Sequence, residues 1–362
     1  MAKGLTSLAA AALIVAGGIG DHVLSSTSSN QLAAAKVSET AQQAAVISPQ
    51  SLDGATEHAY AVASPSVVFV NNVGVGSGSG VIYDKSGDIV TNAHVVESAQ
   101  SITVTLSTGK TYSARLVGSD AKDDLAVLHI NATNLPAAHF ASAGSFRVAQ
   151  MVLAIGNPLD LQQSVTFGLI SALDRTVSES ASTGAYLPDA IQTSAPINPG
   201  NSGGALVTLS GTVVGIPTLE AVDPQNNNGG AAQGIGFAIP STRVTTIAHQ
   251  IVVYGRVVHS GRAYLGVTTT DNSNQSGFSV FGQQSTVNGA IVTTVGDGSP
   301  AAQAGLQQDD VITAVDGKAI TSSDDLLTAL AHATPGQTIT LTVNRNGQNL
   351  TLKVKLGELA VS

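Results

Sequence analysis

The chain has 362 residues, no cysteine, and a formal net charge of −9 from 15 basic and 24 acidic residues. At about 150 residues per domain the length fits two domains with additional segments, and the lack of cysteine excludes disulfides and thiolate metal sites. The basic residues form no stripe of Lys and Arg, which argues against nucleic acid as a partner.

The amino-terminal segment, residues 1–20, combines a basic residue with an apolar stretch from Leu8 to Ile19. This stretch is intermediate in length between a signal-peptide core and a membrane-spanning helix. The segment fits a cleaved signal peptide, with Ala16-Gly17-Gly18 at the cleavage site, and a retained membrane anchor equally well. Both alternatives imply that the protein is exported. Residues 21–55 are rich in Ser, Ala, Gln and Thr, which predicts a flexible linker.

The next block, residues 56–257, consists of short apolar runs broken by turn residues, which predicts strands. His94 follows the run Ile89-Val90-Thr91, so it is expected where a strand ends and a small-residue bend begins. A rigid strand can fix the orientation of a histidine side chain at its end towards a neighbouring group. The other histidines lack such a context, and we expect them on the surface or in ordinary packing.

Two adjacent carboxylates, Asp123 and Asp124, precede the apolar run Leu125 to Leu128. In an extended chain adjacent side chains point to opposite faces, so only one of them can orient a histidine ring. We expect Asp124 to enter the interior with the strand that follows it, and Asp123 to be solvated.

Ser202 lies in the run Gly200-Asn201-Ser202-Gly203-Gly204. Glycines let backbone N–H groups turn inward, and a serine beside such donors has what acyl transfer requires. Taken alone, the run is equally typical of a tight turn between strands. The chain order His94, Asp124, Ser202 is that of the chymotrypsin-type arrangement.

Further along, residues 176–190 and 218–233 are polar or glycine-rich and are predicted to be long functional or mobile loops.

A helix around Val244–Val253 is expected to lead to a second domain. That domain begins near Tyr264-Leu265-Gly266-Val267, which resembles the carboxylate-binding loop of a PDZ domain. Signals for a strand and two capped helices follow at Gly289–Val292, Ser299-Pro300, Gly305, Ser322, Asp325, Leu326, Leu327 and Leu330.

Five motifs, in order and at matching separations, make residues 56–358 similar to the HtrA/DegP family of serine proteases. They are Thr91-Asn92-Ala93-His94-Val95-Val96, Asp124-Leu125-Ala126-Val127-Leu128, Ala154-Ile155-Gly156-Asn157-Pro158, Gly200-Asn201-Ser202-Gly203-Gly204-Ala205-Leu206 and Gly234-Ile235-Gly236-Phe237-Ala238-Ile239-Pro240. The resemblance implies a mainly β fold: a chymotrypsin-like double antiparallel β-barrel over residues 56–257, then an α+β PDZ domain over residues 258–360.

The resemblance also implies roles for individual residues. His94 would be the general base, Asp124 its orienting partner and Ser202 the nucleophile. Backbone amides of Gly200 and Ser202, with Asn201 as a further candidate, would form the oxyanion hole. Outside the catalytic residues, it implies that Arg175 relays activation. In the PDZ domain, it implies that the terminal carboxylate of a peptide binds at Tyr264, Leu265, Gly266 and Val267.

The substrate pocket departs from the family pattern. Ile197 matches a pocket-lining residue, and its apolar side chain favours small or medium aliphatic substrate residues. Thr218, Leu219 and Glu220 fall where the family usually has a different pocket sequence, and Glu220 would make the pocket more polar. The other departures are Ser194 in place of Asp, Pro196 in place of Ala and Asp174 in place of Gly.

The expected function is an exported, ATP-independent serine endopeptidase that cleaves unfolded or damaged proteins and is regulated by C-terminal peptides bound to its PDZ domain. No metal, cofactor or nucleic acid is expected. The resemblance implies a bacterial cell-envelope location, periplasmic or on the outer face of the cytoplasmic membrane, and a homotrimer or higher multiple with Tyr60 as a contact. The alternatives are a chaperone or holdase, and a PDZ scaffold with little proteolysis.

Overall fold

The computed structural model describes residues 49–74, 76–157, 163–178, 186–198, 200–222, 231–271 and 287–361. The predicted signal peptide or anchor, residues 1–20, lies outside these ranges. Helix α1 (Pro49–Ala63) is the first described element. It includes the end of the predicted linker at residues 21–55, so regular structure begins earlier than expected. Within the described ranges, no helix is long and apolar enough to cross a membrane.

The first β-barrel is closed by six antiparallel strands in the order β1-β2-β3-β6-β5-β4. The strands are β1 (Val67–Asn72), β2 (Gly76–Ile82), β3 (Asp88–Thr91), β4 (Ile102–Thr105), β5 (Thr111–Asp120) and β6 (Leu125–Ile130). A 3-10 turn (Ser64–Ser66) leads into β1, and a short helix, α2 (Ala93–Val96), follows β3. Strand β1 is buried on both faces: Val68 and Val70 pack into one core cluster with Ile82 and Ile89, and Val67, on the opposite face, packs into another.

The second barrel is closed in the order β10-β11-β12-β9-β8-β7. Its strands are β7 (Met151–Gly156), β8 (Ser164–Ser178), β9 (Tyr186–Thr193), β10 (Ala205–Thr208), β11 (Val213–Val222) and β12 (Ala231–Pro240). Strands β8, β9, β11 and β12 extend into residues 176–190 and 218–233. The prediction of loops across those whole stretches is therefore wrong at their ends, because ladder pairing continues through their polar residues.

One apolar core is shared by both barrels. It contains Val81 and Val127 from the first barrel, Ile155 and Val207 from the second, and the buried face of helix α3 (Ser241–Tyr254). Because α3 packs against strands of both barrels, it holds them together on the side that leads to the second domain. The helix contains the predicted segment Val244–Val253 and ends at Gly255, whose φ of 71° suits a helix C-cap.

The second domain has the predicted α+β character. A five-stranded path β14-β15-β16-β18-β19 is joined by β17 at β16, and β13 pairs with β20. Two helices pack beside these strands, α4 (Pro300–Gln303) and α5 (Ser323–Ala331). Their predicted caps are confirmed, since the side chains of Ser299 and Ser322 accept hydrogen bonds from Ala302 N and Asp325 N at 3.1 Å. The strands are β13 (Ala263–Tyr264), β14 (Val267–Asp271), β15 (Ala290–Val295), β16 (Val311–Val315), β17 (Lys318–Ala319), β18 (Thr338–Arg345), β19 (Gln348–Lys355) and β20 (Gly357–Glu358).

Asp123 joins the two domains and is buried, so the prediction that it is solvated is wrong. Its carboxylate accepts hydrogen bonds from Arg243 of α3 and from Arg262, which lies just before β13. The reason lies in the backbone. Asp124 has a φ of 48° and its amide donates to Ala121 O at 3.4 Å, so this segment is a turn in which adjacent side chains do not alternate.

Asp120 lies in the same buried cluster. Burial and the neighbouring Asp123 raise the pKa of Asp120 to about 6. Burial also opposes the ionisation of Asp123, but hydrogen bonds and charges from Arg243 and Arg262 outweigh it and hold the pKa of Asp123 below its usual value. Below about pH 6, Asp120 is therefore mostly protonated, whereas Asp123 stays ionised to a lower pH than an ordinary aspartate.

Candidate active site

His94 and Asp124 meet in the first barrel. The His94 Nδ1 lies 3.0 and 2.9 Å from the two carboxylate oxygens of Asp124, and the His94 amide donates to Asp124 Oδ1 at 3.0 Å. An ionised carboxylate only accepts hydrogen bonds, so Nδ1 carries the proton and the Nε2 lone pair is the one that would accept another. This is the geometry in which a carboxylate sets the tautomer of a catalytic histidine.

The sequence elements around this pair explain its position. His94 lies in α2 immediately after β3, and Asp124 lies in the turn immediately before β6; β3 and β6 are neighbouring strands. Asn92 Nδ2 donates to the backbone carbonyl of Asp124 at 3.0 Å, which ties the two strand ends together. Asp124 is 2% exposed, whereas the His94 side chain is 35% exposed and accessible to a substrate.

Thr218, predicted to belong to the substrate pocket, also contacts the Asp124 carboxylate. Its side chain is buried and its Oγ1 donates to Asp124 Oδ2. Its backbone carbonyl accepts a hydrogen bond from Ser202 Oγ at 3.4 Å. Thr218 therefore contacts both the carboxylate and the serine, a relationship that the local sequence does not indicate.

Ser202 lies in a turn whose peptide groups are mostly paired. The amide of Asn201 donates to Asn198 O at 2.9 Å, Gly203 N to Pro217 O at 3.0 Å, and Gly204 N to Asn201 O at 2.9 Å. Asn201 is therefore not an available amide donor. The amides of Gly200 and Ser202 donate to no acceptor within the part of the chain that the structure describes.

The remaining predicted protease residues are placed as follows. Ile197 is buried beside Gly236 of β12, while Leu219 and Glu220 lie on β11 opposite Phe237 and Gly236. Arg175 lies on β8, and its Nε donates to Gln192 Oε1 at 3.1 Å. No group of three or more His, Asp or Glu residues in the described ranges is arranged to hold a metal ion.

The predicted PDZ loop borders a cavity of about 470 Å³. Tyr264 and Gly266 line it, together with Leu327 and Leu330 of α5. Gly266 has a φ of 85°, and its carbonyl accepts from Gly296 N at 2.9 Å, so the loop has a backbone conformation that favours glycine. Leu265 is buried in the domain core, and Val267 begins β14. The α3 residues Thr242, Arg243 and Thr246 border the same cavity from the protease side.

Comparison with known proteins agrees with this architecture. Residues 78–216 match the model of the trypsin-like peptidase domain and residues 263–356 that of the PDZ domain. Both matches fall within the spans predicted from the sequence. The chain is 40% identical over 296 residues to the serine protease Do-like HtrA of Bacillus subtilis, a match that spans 78% of this chain and 64% of that protein.

Two other curated relatives are similarly close. A probable periplasmic serine endoprotease, DegP-like, of Chlamydia trachomatis is 39% identical over 282 residues, 78% of this chain and 54% of that protein. The serine endoprotease DegS of Escherichia coli is 39% identical over 308 residues, 82% of this chain and 84% of that protein. The chain thus spans less than two thirds of the Bacillus and Chlamydia relatives.

Solved structures give the same result. The serine endoprotease from Yersinia pestis aligns with a TM-score of 0.59 at 37% identity, covering 84% of this chain and 98% of that one. The HtrA-type protease AlgW with decapeptide aligns with a TM-score of 0.64 at 34% identity, covering 85% and 99%. The chain belongs to the HtrA family of serine proteases, with one trypsin-like peptidase domain followed by one PDZ domain.

Proposed function

We propose that this protein is a serine endopeptidase in which Ser202, His94 and Asp124 form the catalytic triad. The observation that carries the proposal is the pairing of His94 Nδ1 with both oxygens of a buried Asp124. That pairing directs Nε2 away from the carboxylate and makes it the proton acceptor that a serine nucleophile requires.

The reaction proceeds in two halves. Ser202 Oγ leaves its hydrogen bond with Thr218 O, transfers its proton to His94 Nε2 and attacks the carbonyl carbon of the peptide bond. The amides of Gly200 and Ser202 stabilise the resulting oxyanion. His94 then protonates the leaving amine, and water, activated by the same histidine, hydrolyses the acyl-enzyme and restores the Ser202 hydroxyl.

The proposed substrates are unfolded or damaged proteins of the bacterial cell envelope. Support comes from the relatives described as periplasmic serine endoproteases and from the partial exposure of the His94 side chain. The pocket for the residue before the scissile bond would include Ile197 and the β11 residues Leu219 and Glu220. Thr218 is better assigned to Asp124, because its hydroxyl donates to that carboxylate.

The PDZ domain is proposed to bind C-terminal peptides and to regulate cleavage. A peptide would add beside β14, with its carboxylate at the amides of Leu265, Gly266 and Val267. The apolar cavity walls and the AlgW structure with a decapeptide support this assignment. Arg175, near the end of β8, is proposed to relay regulation between the domains, since α5 of the PDZ domain contacts β8.

We also propose that the protein is exported and assembles as a homotrimer or higher multiple. Val165, Phe167 and Leu169 alternate along β8 and are exposed, so they form an apolar face that a second copy would cover. Tyr60 of α1 lies beside this strand, since its hydroxyl donates to Gln163 Oε1 at 3.0 Å. A Phe167→Lys variant should dissociate the assembly in light-scattering measurements.

Cleavage of unfolded casein tests the proposed activity. Ser202→Ala should lower the rate by about a million-fold. Ser210→Ala, which changes an exposed serine of the same barrel, should not. A fluorophosphonate probe should label the wild type and fail to label Ser202→Ala. Equal casein cleavage by the wild type and Ser202→Ala would exclude the proposed triad.

A further inference from the structure

Ser79 of β2 is fully buried and lies in the first barrel, yet it contacts the serine-bearing turn of the second. Its backbone N–H donates to Ser202 O at 2.9 Å, and its hydroxyl donates to Gly200 O at 2.5 Å. A single residue of one barrel thus binds the carbonyls on both sides of Asn201 in the other barrel.

The Ser79 hydroxyl has no rotational freedom left. Asn157 N donates to Ser79 Oγ at 2.7 Å, so the oxygen is an acceptor for the end of β7. Its one proton is committed to the Gly200 carbonyl. Both partners, Asn157 N and Gly200 O, are backbone groups of the second barrel. A hydroxyl accepts from one and donates to the other, whereas a methyl group forms neither hydrogen bond.

These contacts fix the planes of two peptide groups. In the peptide that joins Gly200 to Asn201, the carbonyl is held by Ser79 Oγ and the N–H by Asn198 O. In the peptide that follows Ser202, the carbonyl is held by Ser79 N and the Gly203 N–H by Pro217 O. The Ser202 amide lies between these two fixed planes, so its direction depends on both.

Ser79 is in turn connected to the strand that leads to His94. Thr91 Oγ1 donates to Ser79 O at 2.6 Å, and Thr91 is the last residue of β3, three positions before His94. A Cβ built at Gly203 would overlap this same Ser79 carbonyl, which shows how closely the two barrels approach here. The chain of contacts therefore runs from the strand of the histidine, through Ser79, to the turn of the serine.

We propose that Ser79 is a positioning residue for acyl transfer, which holds the amide donors of Gly200 and Ser202 and the Ser202 side chain in register with His94. The proposal rests on the proposed peptidase function. Ser79 touches no reacting atom and acts only through the backbone of the turn. Replacing its hydroxyl by hydrogen frees the Gly200 carbonyl to rotate, and the donors then point away from the oxyanion in part of the population.

The test is Ser79→Ala, with Ser241→Ala as the matched control. Ser241 is equally buried, and its hydroxyl also donates to a backbone carbonyl, Ala141 O at 2.8 Å. Active-site titration counts folded, reactive sites, and kcat is expressed per titrated site on a peptide substrate. For Ser79→Ala we expect kcat per site to fall about 10- to 100-fold with KM within about twofold of the wild type.

Rescue provides a second measurement. Ser79→Thr keeps the hydroxyl and should retain more kcat per site than Ser79→Ala, whereas Ser241→Ala should keep the wild-type value. A purely structural role would lower the number of titrated sites and leave kcat per site unchanged, and that result for Ser79→Ala would overturn the proposal. Failure of the wild type to cleave or to be labelled would instead overturn the peptidase function itself.

Discussion

Thr218 donates a hydrogen bond from its Oγ1 to Oδ2 of Asp124, the carboxylate that also accepts from His94 Nδ1. The two residues are 94 positions apart and come from different barrels. Because both oxygens of this buried carboxylate accept hydrogen bonds, the carboxylate cannot rotate away from the imidazole without losing a partner.

Thr218→Val removes that hydroxyl with little change in volume. A hydrogen bond to a charged group contributes about 1.5–3 kcal/mol, so kcat/KM should fall about 10- to 100-fold. The control is Thr208→Val in β10, whose hydroxyl bonds only within the following turn. Casein cleavage measures both variants. Thr218→Val with the activity of Thr208→Val would mean that Thr218 does not orient Asp124.

Gly203→Ala should damage the turn that carries Ser202. Gly203 has a φ of 80°, and a Cβ there would overlap Ser79 O and approach Thr91 Oγ1. Gly144 has a similar φ of 72°, but a Cβ added there would have no atom within 4 Å. Gly144→Ala therefore introduces only the backbone strain, about 1–2 kcal/mol.

We therefore expect the fluorophosphonate labelling rate to fall about 100-fold or more in Gly203→Ala and to stay near the wild-type rate in Gly144→Ala. Thermal unfolding run alongside separates loss of fold from loss of reactivity. Comparable labelling by the two variants would show that the close approach at Gly203 is not needed.

The raised pKa of Asp120, about 6 against an ordinary 3.8, predicts a pH dependence of stability. The folded state binds this proton more tightly than the unfolded state, so the stabilisation is complete below pH 3.8 and is lost as pH rises through 6. Asp120→Asn keeps the Oδ1 that accepts from Lys122 N at 3.0 Å and remains neutral at every pH.

Between pH 5 and pH 7.5, the variant should therefore lose less stability than the wild type, by about 1.4 kcal/mol. Urea unfolding at the two pH values measures the difference. Asp297→Asn, at an exposed carboxylate, provides the control for general charge effects. Parallel pH profiles of the wild type and Asp120→Asn would contradict the assignment.

The PDZ cavity predicts selective binding of free carboxylates. A decapeptide that ends in Val should bind, and the same peptide with an amidated C-terminus should bind about tenfold more weakly or worse, because the backbone amides lose a charged acceptor. Leu327→Glu places a negative charge on the cavity wall and should weaken the acid peptide in the same way.

Asp324→Asn, on the exposed side of α5, is the matched control and should bind like the wild type. Fluorescence anisotropy gives the affinities, and casein cleavage with added peptide measures any regulation. Equal affinity for the acid and amide peptides would rule out the carboxylate loop at residues 264–267.

The sequence was sufficient to predict the two barrels, the PDZ domain and the proximity of His94 to Asp124. Short apolar strands, a histidine after one strand and a carboxylate before another are local features, and the family motifs supplied the topology. Thr218 was expected in the substrate pocket but not as a partner of Asp124, and Ser79 was not expected to contact the turn of Ser202, because both contacts cross between barrels and no spacing along the chain encodes them.

The error at Asp123 has a different origin. Alternation of side chains was assumed for Asp123 and Asp124, but the left-handed residue at Asp124 ends a turn and directs both carboxylates inward. The arginines that compensate the buried charge, Arg243 and Arg262, lie about 120 and 139 residues away. An isolated acidic residue beside an apolar run is expected to be solvated, and only the folded chain supplies these partners.

The apolar core shared by both barrels has a consequence for the cell that makes this protein. Since Val81, Ile155 and the buried face of α3 belong to one core, either barrel folded alone would leave apolar residues of that core exposed. A nascent chain that has folded only its first barrel holds His94 and Asp124 but lacks Ser202. Under the proposed function, the protein therefore becomes a protease only when the whole domain is complete, and partly synthesised chains cannot cleave other proteins.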